Sequence, residues 1–590
     1  MAALINALDN HTTKQFGENG HAEYAWSNGT QEKILQLSFQ LTRTNEEGVN
    51  KLRNVLSDLL NNLSHRLKTA TLPEKELIKG HLSMLYRMVG HTRDIIDGKG
   101  EYTLTYMMIY TWNQFFPVLA KFALKCLVDL GDKTIHQYGS WKDLKYFCEY
   151  CKTQGATVDH PLVQYSIELI NTKLREDSIA TNDISLVAKW VPREKSSFGW
   201  IYEALACDYF KEFMATANTH ERQTKAVLKC KTSYRKLLAE LNRKIDTTQI
   251  KQCGQNWKSI DFNRVTSITV SKQKKAFLNV KKDGSDRHPD NQDRTECAVN
   301  FKSRIKAAAA GEVEMKGKRV GMADFTKQAF ELIARKNTLK SGYNTTTTED
   351  KENLQLETDL LNSQWRDNST QTGALGKMIP MVDVSGSMSG DPMHVAIALG
   401  IRIAEKSVIG KRVMTFSAKP TWVNLEGYKD FVEQVDHISK ADWGMNTNLM
   451  AAFDNILDVI IENKMSPEEV QDMILVILSD MQIDAGDSCD KTALYDAIKA
   501  KYAAAGIRVH GVPYKPPHIL FWNLRSTSGF PSLSNQPNVS MMAGFSAALL
   551  NLFCEKGLVA LQSCNPWGIL EQILQNERYK IMAEKLDQEI

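Results

Sequence analysis

Apolar residues recur at helical spacing through most of the first 340 positions. Segments with this spacing are separated by Pro, Gly, Asn or Asp, and they cover residues 31–41, 48–63, 74–86, 102–128, 141–153 and 161–174. No strand-like alternation, long heptad register or strict repeat accompanies them. Short antiparallel helices of this kind favour stacked pairs, so we expect residues 30–340 to form a HEAT-like α-helical repeat array.

The last third of the chain alternates between apolar runs and helical patterns. Residues 378–382 and 473–478 are continuous apolar runs of the kind that form buried parallel strands. Further strands are expected at 412–417, 508–512 and 519–524, and helices at 393–403, 449–460 and 541–553. This alternation predicts an α/β doubly wound sheet.

The chain is 590 residues long, which exceeds the size of a single hydrophobic core. The patterns divide it into an N-terminal extension (1–29), the helical module (30–340), a linker or insertion (341–372), the α/β domain (373–560) and a C-terminal helical tail (561–590). The linker is assigned because its hydrophobic pattern is weak. The charged residues of 281–296 predict a second exposed loop.

Hard oxygen donors stand at the predicted strand ends of the α/β domain. Asp383, Ser385 and Ser387 follow the first apolar run, Thr447 lies in a loop, and Asp480 follows the second run. Ligands of doubly wound sheets bind at the carboxyl ends of the strands. Oxygen donors without Cys or His suit Mg²⁺ first, with Ca²⁺ or Mn²⁺ as alternatives. The competing interpretation is a polar cluster that only caps the following helices.

Positive charge is concentrated in residues 221–320, which contain 24 Lys or Arg against 11 Asp or Glu, a net charge of +13. The whole chain carries +4, so the remainder carries −9. Such a stretch favours contact with a polyanion, although a solvated charged surface is the alternative. The candidate nucleic-acid contacts are Lys272, Lys274, Lys275, Lys281, Lys282, Arg287, Arg294, Lys302 and Arg304. Aromatic residues that could stack on bases or anchor a core are Tyr234, Trp257, Phe262, Phe277 and Phe301.

Composition favours a cytoplasmic, non-enzymatic protein. The ten cysteines are scattered, and the single C-x-x-C pair, Cys148 and Cys151, reads as two small apolar groups on one helix face. The chain has no apolar run of about 18 residues, so no membrane span or membrane partner is expected, and its N-terminus lacks a signal pattern. Neither a phosphate-cradling Gly-rich loop, nor H-E-x-x-H, nor G-x-S-x-G is present, so we expect no catalysis.

Several short strings resemble known families. The strings RDIIDGKGE (93–101), YGSWKDL (138–144) and ISLVAKWVPRE (184–194) resemble the N-terminal module of the TROVE family, which includes the Ro RNA-binding autoantigen. In the second string we expect Trp141 and Leu144 to face inward, with Lys142 and Asp143 exposed. In the third, Pro192 should end a helix. The strings DVSGS, GMNTN and LSDMQ look like the metal-ion-dependent adhesion site (MIDAS) of von Willebrand factor A domains.

The resemblance carries expectations about the site. Ser385 and Ser387 should bind the cation directly, Thr447 directly or through water, and Asp383 and Asp480 largely through water. A coordination position then stays open for a carboxylate or phosphate oxygen of a partner.

It also implies two functions. In Ro-type proteins the helical repeats close into a ring against the von Willebrand A domain and bind single-stranded RNA ends and small structured RNAs. The first expected function is therefore an RNA-binding ring or scaffold of a ribonucleoprotein. The second is a protein-interaction platform whose metal site captures an acidic residue, without RNA. The most similar TROVE-like branch occurs in eukaryotes and large DNA viruses, so a virion is a second expected location.

Overall fold

The computed structural model describes residues 14–590 except 282–283, 341–347, 442, 445, 485–493 and 555–563. Its contacts divide the chain into two compact units. One, here called the sheet unit, comprises Met1–Val55 and Phe262–Glu577. The other, the helical unit, comprises Leu56–Asp261 and Arg578–Ile590. Each unit therefore combines segments that lie far apart along the sequence.

The described strands are β1 (Lys14–Phe16), β2 (Ala22–Tyr24), β3 (Met378–Asp383), β4 (Arg412–Phe416), β5 (Thr421–Asn424), β6 (Ile474–Ser479), β7 (His518–Asn523) and β8 (Val539–Ala543).

The described helices, in chain order, are α1 (Thr30–Gln40), α2 (Glu46–Thr69), α3 (Leu72–Arg93), α4 (Thr103–Phe115), α5 (Pro117–Cys126), α6 (Lys142–Thr153), α7 (Pro161–Ile179), α8 (Val187–Trp190), α9 (Tyr202–Tyr209), α10 (Lys211–Ala215), α11 (His220–Ile245), α12 (Thr248–Cys253), α13 (Ser267–Phe277), α14 (Gln292–Ala309), α15 (Met322–Lys340), α16 (Thr348–Ser369), α17 (Asp391–Lys406), α18 (Phe431–Ile438), α19 (Leu449–Glu462), α20 (Pro467–Gln471), α21 (Leu494–His510), α22 (Pro566–Leu574) and α23 (Lys580–Glu589). Among these described helices, none has the length and apolar character required to cross a bilayer.

The sheet unit is built on six strands in the order β5-β4-β3-β6-β7-β8. All neighbours are parallel except β5, which runs antiparallel to β4 at one edge. Every residue of β3, β6 and β7 is buried, because helices and the N-terminal segment cover the sheet. The continuous apolar runs expected to form parallel strands do so, and an α/β fold is confirmed for this part of the chain.

Helices from residues 262–369 share the core of the sheet unit. Helix α15 packs on α17, which in turn packs on β3. Phe325 of α15 meets Trp365 of α16 edge to face at 5.2 Å, and Trp365 stacks on Phe431 at 4.0 Å between ring centroids. Residues 320–340, which the sequence pattern places in the helical module, therefore bury apolar side chains in the core of the α/β fold, and α14 packs on α16.

The N-terminal segment also packs on the sheet. Strands β1 and β2 form a hairpin, and α1 packs on β8. The side chain of Asn523, the last residue of β7, donates to the carbonyl of Phe39 at 3.0 Å. The side-chain oxygen of Gln40 accepts from the backbone N–H of Thr527 at 2.6 Å. These bonds join positions more than 480 residues apart, so no local pattern reveals them.

The helical unit follows the sequence-predicted helices closely. Helices α3 to α7 cover the predicted segments, with Pro117 dividing residues 102–128 into α4 and α5. Successive helices such as α4 and α5, α6 and α7, pack against each other, and the C-terminal helix α23 packs on α3 and α5. Helix α8 ends at Trp190, just before Pro192, as expected. A helical region is thus confirmed, while its HEAT-like character stays a prediction.

Asp143 contradicts the expected exposure of its motif. It is fully buried, and its carboxylate accepts from Arg93 Nε at 2.6 Å, from the Tyr106 hydroxyl at 2.8 Å and from the Ser140 N–H at 2.8 Å. A charged residue is buried only when partners satisfy it, and these partners come from three different places in the sequence. Leu144 is buried as predicted, whereas Trp141 is half-buried.

Two predicted elements are wrong, and a third is confirmed in part. Much of the expected linker 341–372 is helix α16, whose Leu360, Leu361 and Trp365 are buried, while 341–347 lie outside the described residues. The expected strand at 508–512 instead contains the end of α21. The expected helix at 541–553 starts within β8, but residues 547–554 are helical, beginning with the 3₁₀ turn Ala547–Leu550. In these last two cases a short apolar pattern was compatible with both helix and strand, whereas the linker was assigned because its hydrophobic pattern is weak. The expected loop 281–296 also ends early, because α14 begins at Gln292.

The C-x-x-C pair lies on α6, where Cys148 and Cys151 are both fully buried free thiols. Burial raises the pKa of each thiol, Cys148 to about 12. The pair therefore packs as two small apolar groups, in agreement with its helical spacing.

Candidate metal centre

The predicted ligands gather where the strand order of the sheet reverses. From β3 the chain moves to β4 on one side and later returns to β6 on the other. Asp383 ends β3, and Asp480 directly follows β6, which pairs with β3 in parallel register. The carboxyl ends of adjacent strands on either side of such a switch point form a crevice in which ligands bind.

Asp383 anchors the first loop. Its carboxylate accepts from the Ser385 N–H at 3.0 Å and from the Ser479 hydroxyl at 2.6 Å. The side chain is completely buried, and burial raises its pKa to about 7, although hydrogen bonds from Ser385 and Ser479 oppose the shift and the nearby Asp480 charge adds to it. The protein thus holds a desolvated carboxyl group with no cationic side chain hydrogen-bonded to it among the described residues.

A chain of hydroxyl and carboxylate oxygens extends from Asp383 to Asp480. The hydroxyl oxygens of Ser385 and Ser387 are 3.1 Å apart, and Ser387 donates to Asp480 Oδ1 at 3.4 Å. Asp480 is also completely buried, and burial raises its pKa, while the Gln482 N–H, Arg525 and Ser387 oppose the shift. Four of the five predicted ligands are therefore connected directly.

Thr447 is fixed beside the loop that follows Asp480. Its N–H donates to Asp484 Oδ2 at 2.6 Å, and its carbonyl accepts from the Asp484 N–H at 3.1 Å. The next residue, Asn448, donates its N–H to Ser417 at the end of β4 and caps α19 with its side chain. Its neighbours Asp442 and Met445 lie outside the described residues.

Two oxygens at this edge are buried without a hydrogen bond. They are Thr447 Oγ1 and Asp480 Oδ2, on residues that are at most 1% exposed. Arg525 Nη1 lies 3.6 Å from Asp480 Oδ2, an ion-pair contact beyond hydrogen-bonding distance. A buried polar atom without a partner costs about 1–3 kcal/mol. Because Thr447 is bonded twice to Asp484, four residues after Asp480, both unsatisfied oxygens lie on neighbouring loops at this edge of the sheet.

The backbone beside Asp480 is strained. Met481 has φ of +63°, in the left-handed region that costs a non-glycine residue about 1–2 kcal/mol. Its N–H donates to the Ser479 hydroxyl at 3.0 Å, the same hydroxyl that donates to Asp383. The strained turn therefore aims Asp480 into the crevice, and strain of this kind is concentrated at functional sites.

Arg525 and Glu18 were not predicted as parts of this site. Arg525 lies two residues beyond β7 and contacts Asp480, so the rule that ligands collect at strand ends could have found it. Glu18, in the β1–β2 turn, accepts from the Gln482 side chain. Both residues line a cavity of about 840 Å³, together with Arg43, Trp26 and the Ser526–Ser528 segment. The N-terminal segment thus forms one wall beside the crevice, which no local sequence signal indicates.

The donor set limits which ions this centre suits. Among the residues that the structure describes, no group of three or more His, Cys, Asp or Glu side chains is arranged to hold a metal. A cation at this edge would therefore depend on the hydroxyls of Ser385, Ser387 and Thr447 as well as on two carboxylates. Such ligands suit Mg²⁺, Ca²⁺ or Mn²⁺ rather than zinc.

The candidate basic surface is only partly available. Lys272, Lys281 and Arg287 are exposed, and Lys275 and Lys302 are half-buried. Three other cations serve the fold: Lys274 pairs with Glu357 at 3.3 Å, Arg294 donates to the Ala276 carbonyl at 2.7 Å, and Arg304 donates to the Glu314 carbonyl at 2.7 Å. Lys282 lies outside the described residues.

Most of the aromatic residues in the basic stretch belong to cores. Phe262, Phe277 and Phe301 contact one another with ring centroids 4.7–5.4 Å apart and are at most 9% exposed. Tyr234 is fully buried in the helical unit, and its hydroxyl donates to the Asn171 side chain. Only Trp257 is half-buried. The core alternative therefore holds for four of the five rings.

Comparison with known proteins gives two family matches and a viral relative. Residues 377–587 match a family described as a domain of unknown function (DUF7788), and residues 166–370 match a second one (DUF2828). Uncharacterized protein L728 of Acanthamoeba polyphaga mimivirus is 27% identical over 513 residues, which cover 84% of this chain and 79% of that protein. The chain is thus similar over most of its length to a protein of a large DNA virus, in line with the viral branch expected from the short strings.

Proposed function

We propose that the sheet unit is a metal-ion-dependent binding module of the von Willebrand A type. Asp383, Ser385, Ser387, Thr447 and Asp480 would hold one divalent cation, with Mg²⁺ preferred. The observation that carries this proposal is the pair of buried oxygens, Thr447 Oγ1 and Asp480 Oδ2, that lack a hydrogen bond at the switch point of the sheet. Through the cation the module would capture an acidic group of a partner, either a carboxylate or a phosphate.

The residues divide this work by their positions. Ser385 and Ser387 lie on the loop after β3 with their hydroxyl oxygens 3.1 Å apart, so both could contact one ion. Asp383 is turned toward Ser385 and Ser479, which suits a carboxylate that acts on the ion through water. Arg525, next to Asp480, would provide a second contact for the captured anion.

Metal binding to the purified full-length chain tests this proposal directly. Titration with Mg²⁺ or Mn²⁺ by calorimetry should give one site, and Thr447→Ala or Asp480→Asn should weaken it at least tenfold. Ser389→Ala is the matched control, because Ser389 is an exposed hydroxyl in the same loop. Equal affinity in all four proteins would reject the centre.

A second function, RNA binding in a ribonucleoprotein scaffold of the Ro type, is supported by a separate observation. Lys272, Lys281 and Arg287 are exposed within a stretch that carries a net charge of +13. Phosphate contacts of this kind supply affinity that falls with salt. This proposal also predicts that the helices form HEAT-like repeats and that the repeats close into a ring.

The two functions predict different losses. Neutralising Lys272, Lys281 and Arg287 together should weaken RNA binding and reduce its salt dependence, with metal affinity unchanged. Asp383→Asn should abolish metal-dependent capture of the partner and leave RNA binding intact. Chelation of the cation should release a partner captured by the wild-type protein. If the RNA affinity changes neither with salt concentration nor with the triple substitution, the proposed RNA function is rejected.

A further inference from the structure

Helix α6 presents a stripe of lysine and aromatic side chains. Lys142, Lys145, Tyr146, Glu149 and Lys152 are spaced at three to four residues, which places them along one face of the helix. All of them are half-buried or exposed, whereas Leu144, Phe147, Cys148 and Cys151 of the same helix are buried. The stripe is therefore the outward face of α6.

Five aromatic rings that are not fully buried surround this stripe. They are Tyr102 before α4, Tyr146 on α6, Trp190 at the end of α8, and Phe198 and Trp200 just beyond it. Tyr146 is 40% exposed; its ring centroid lies 5.1 Å from Phe198 and 6.4 Å from Tyr102. The rings thus form a continuous patch, drawn from three stretches of chain, within the helical unit.

Four lysines lie against these rings. The ammonium nitrogen of Lys145 is 5.0 Å from the ring centroid of Trp190, 5.2 Å from Phe198 and 5.5 Å from Tyr146. In the same way Lys142 lies over Tyr102 (4.8 Å), Lys189 over Trp190 (5.4 Å) and Lys152 over Trp200 (5.6 Å). We call these four lysines and five rings the aromatic–lysine surface.

The lysines of this surface lack ion-pair partners in the part of the chain that the structure describes, where none of the four has a carboxylate within 4 Å. The one acidic side chain of the stripe, Glu149, accepts from the indole N–H of Trp200 at 2.9 Å. Burial lowers the pKa of Lys145, and the neighbouring Lys142 lowers it further; burial also lowers the pKa of Lys189. An anion placed here would relieve both the desolvation and the mutual repulsion of the ammonium groups.

We infer that the aromatic–lysine surface binds single-stranded nucleic acid, with bases stacked on the rings and phosphates held by the lysines. Aromatic faces interleaved with cations are the combination that binds single strands with little sequence preference. A duplex offers the same phosphates, but its bases are stacked on each other and cannot reach the rings. An acidic peptide would satisfy the lysines but would leave the rings without a matching group.

This inference is independent of the metal centre and of the basic stretch 221–320. All nine residues lie in the helical unit between positions 102 and 200, outside both of those regions. The inference extends the proposed RNA function to a further surface. Loss of binding by the variants below, but not by the triple substitution of Lys272, Lys281 and Arg287, would assign binding to this surface, whereas loss by the triple substitution alone would assign it to the basic stretch.

Binding of a fluorescein-labelled 20-nucleotide oligo(U) to the full-length chain tests the inference. Anisotropy titrations at several salt concentrations should give saturable binding with quenching of tryptophan fluorescence. Replacing Lys142, Lys145, Lys152 and Lys189 by Gln should lower the affinity at least tenfold and reduce the salt slope by about 2–3. Tyr146→Ala should weaken binding roughly five- to tenfold with the salt slope unchanged, because it removes stacking and no charge.

The matched control is Lys121→Gln with Lys133→Gln. Lys121 lies 5.6 Å from the ring centroid of Tyr165, an isolated lysine–aromatic pair of the same unit, and Lys133 is exposed. This variant should bind like wild type, and circular dichroism should show that every variant is folded. Oligo(dT) of equal length tells whether the strand is RNA or DNA, and either result supports the inference.

Three results would overturn it. The first is equal oligo(U) affinity for wild type and the four-lysine variant. The second is a loss of the same size in the Lys121/Lys133 control. The third is binding of heparin, a polyanion without bases, as tightly as oligo(U), together with no effect of Tyr146→Ala, since the surface would then recognise charge alone.

Discussion

Asp94 and Asp143 in the helical unit and Asp383 and Asp480 in the sheet unit are all buried carboxylates, but their surroundings differ. Asp143 accepts two hydrogen bonds from Arg93, and Asp94 accepts two from Arg578, each at 2.7 Å. Asp383 instead faces two serine groups, and Asp480 has one oxygen without a hydrogen bond. Asp94 and Asp143 are each neutralised by a guanidinium group of the protein. Asp383 and Asp480 have no guanidinium hydrogen-bonded to them among the described residues.

This difference separates structural from functional buried charge. A carboxylate that is paired with a guanidinium and saturated with donors has no capacity left for a ligand. A carboxylate among hydroxyl oxygens can bind one, at the cost of its own desolvation. Breaking each type of site should therefore have opposite consequences for stability.

The largest effect is expected at Asp143. Replacement by Ala leaves the fully buried Arg93 guanidinium without its partner and should destabilise the helical unit by about 3–5 kcal/mol. Hydrogen–deuterium exchange of peptides from α3 to α6 is the appropriate measurement, because it reports stability region by region. Lys225→Gln, which removes an exposed pair with Glu221, should leave exchange unchanged. Unchanged exchange in both variants would show that the pair is not structural.

Removal of Arg578 should have the next largest effect. Its guanidinium binds Asp94, its carbonyl accepts from the Tyr138 hydroxyl at 2.6 Å, and it precedes helix α23. Arg578→Met should destabilise the helical unit by about 3 kcal/mol and increase exchange in α23 and α3 first. If only α23 exchanged faster, the C-terminal helix would be an appendage rather than part of the core.

Mg²⁺ should stabilise the sheet unit alone. At a cation concentration of about 100 times Kd, the free energy of unfolding should rise by about 2.7 kcal/mol. Exchange should slow in β3, β6 and their loops, while the helical unit should not respond. Ser389→Ala should show the same stabilisation as wild type, and Asp480→Asn should show at most about 1.4 kcal/mol, because its affinity is at least tenfold lower. Equal protection of both units would point to non-specific ion effects.

The smallest effect is expected for Asp383→Asn in metal-free buffer. Burial raises the pKa of Asp383 to about 7, so above that pH the ionised, buried carboxylate lowers the free energy of unfolding. Since the folded pKa lies above the unfolded one, this cost is absent at low pH and grows as pH rises. At pH 8 the neutral isostere should therefore gain stability, on the order of 1 kcal/mol, whereas Asp143→Asn should lose it. A loss in both variants would show that Asp383 is a structural carboxylate like Asp143.

The strands and the positions of Asp383 and Asp480 could be predicted from the sequence because both depend on short-range rules. Continuous apolar runs mark β3 and β6, and the topology of doubly wound sheets then places Asp383 and Asp480 at adjacent strand ends. Thr447 was predicted from its GMNTN motif. In the structure, its N–H and its carbonyl oxygen each form a hydrogen bond with Asp484 in the loop after Asp480.

The errors arise where distant partners decide the structure. Asp143 is buried because Arg93 reaches it from 50 positions away, and charge alone suggests exposure. Helix α16 was missed because only a few of its residues, such as Leu361 and Trp365, are apolar, and they find their partner Phe431 much later in the chain. The packing of residues 14–55 with the sheet has the same cause.

Each of the two units contains two segments that are distant in sequence, and this has a consequence for the synthesis of the protein. Residues 14–55 are synthesised more than 300 residues before the strands that they cover, and the helical unit includes Arg578–Ile590, which are synthesised more than 300 residues after Asp261. Neither unit can reach its final form until its distant segment has been made, so the earlier segments stay exposed to chaperones or aggregation during that time. Expression of residues 377–587 alone would leave open to water both the β8 surface that α1 covers and the face of α17 that α15 covers, so restoring the solubility of that fragment should require residues 14–55 and residues 320–369 together.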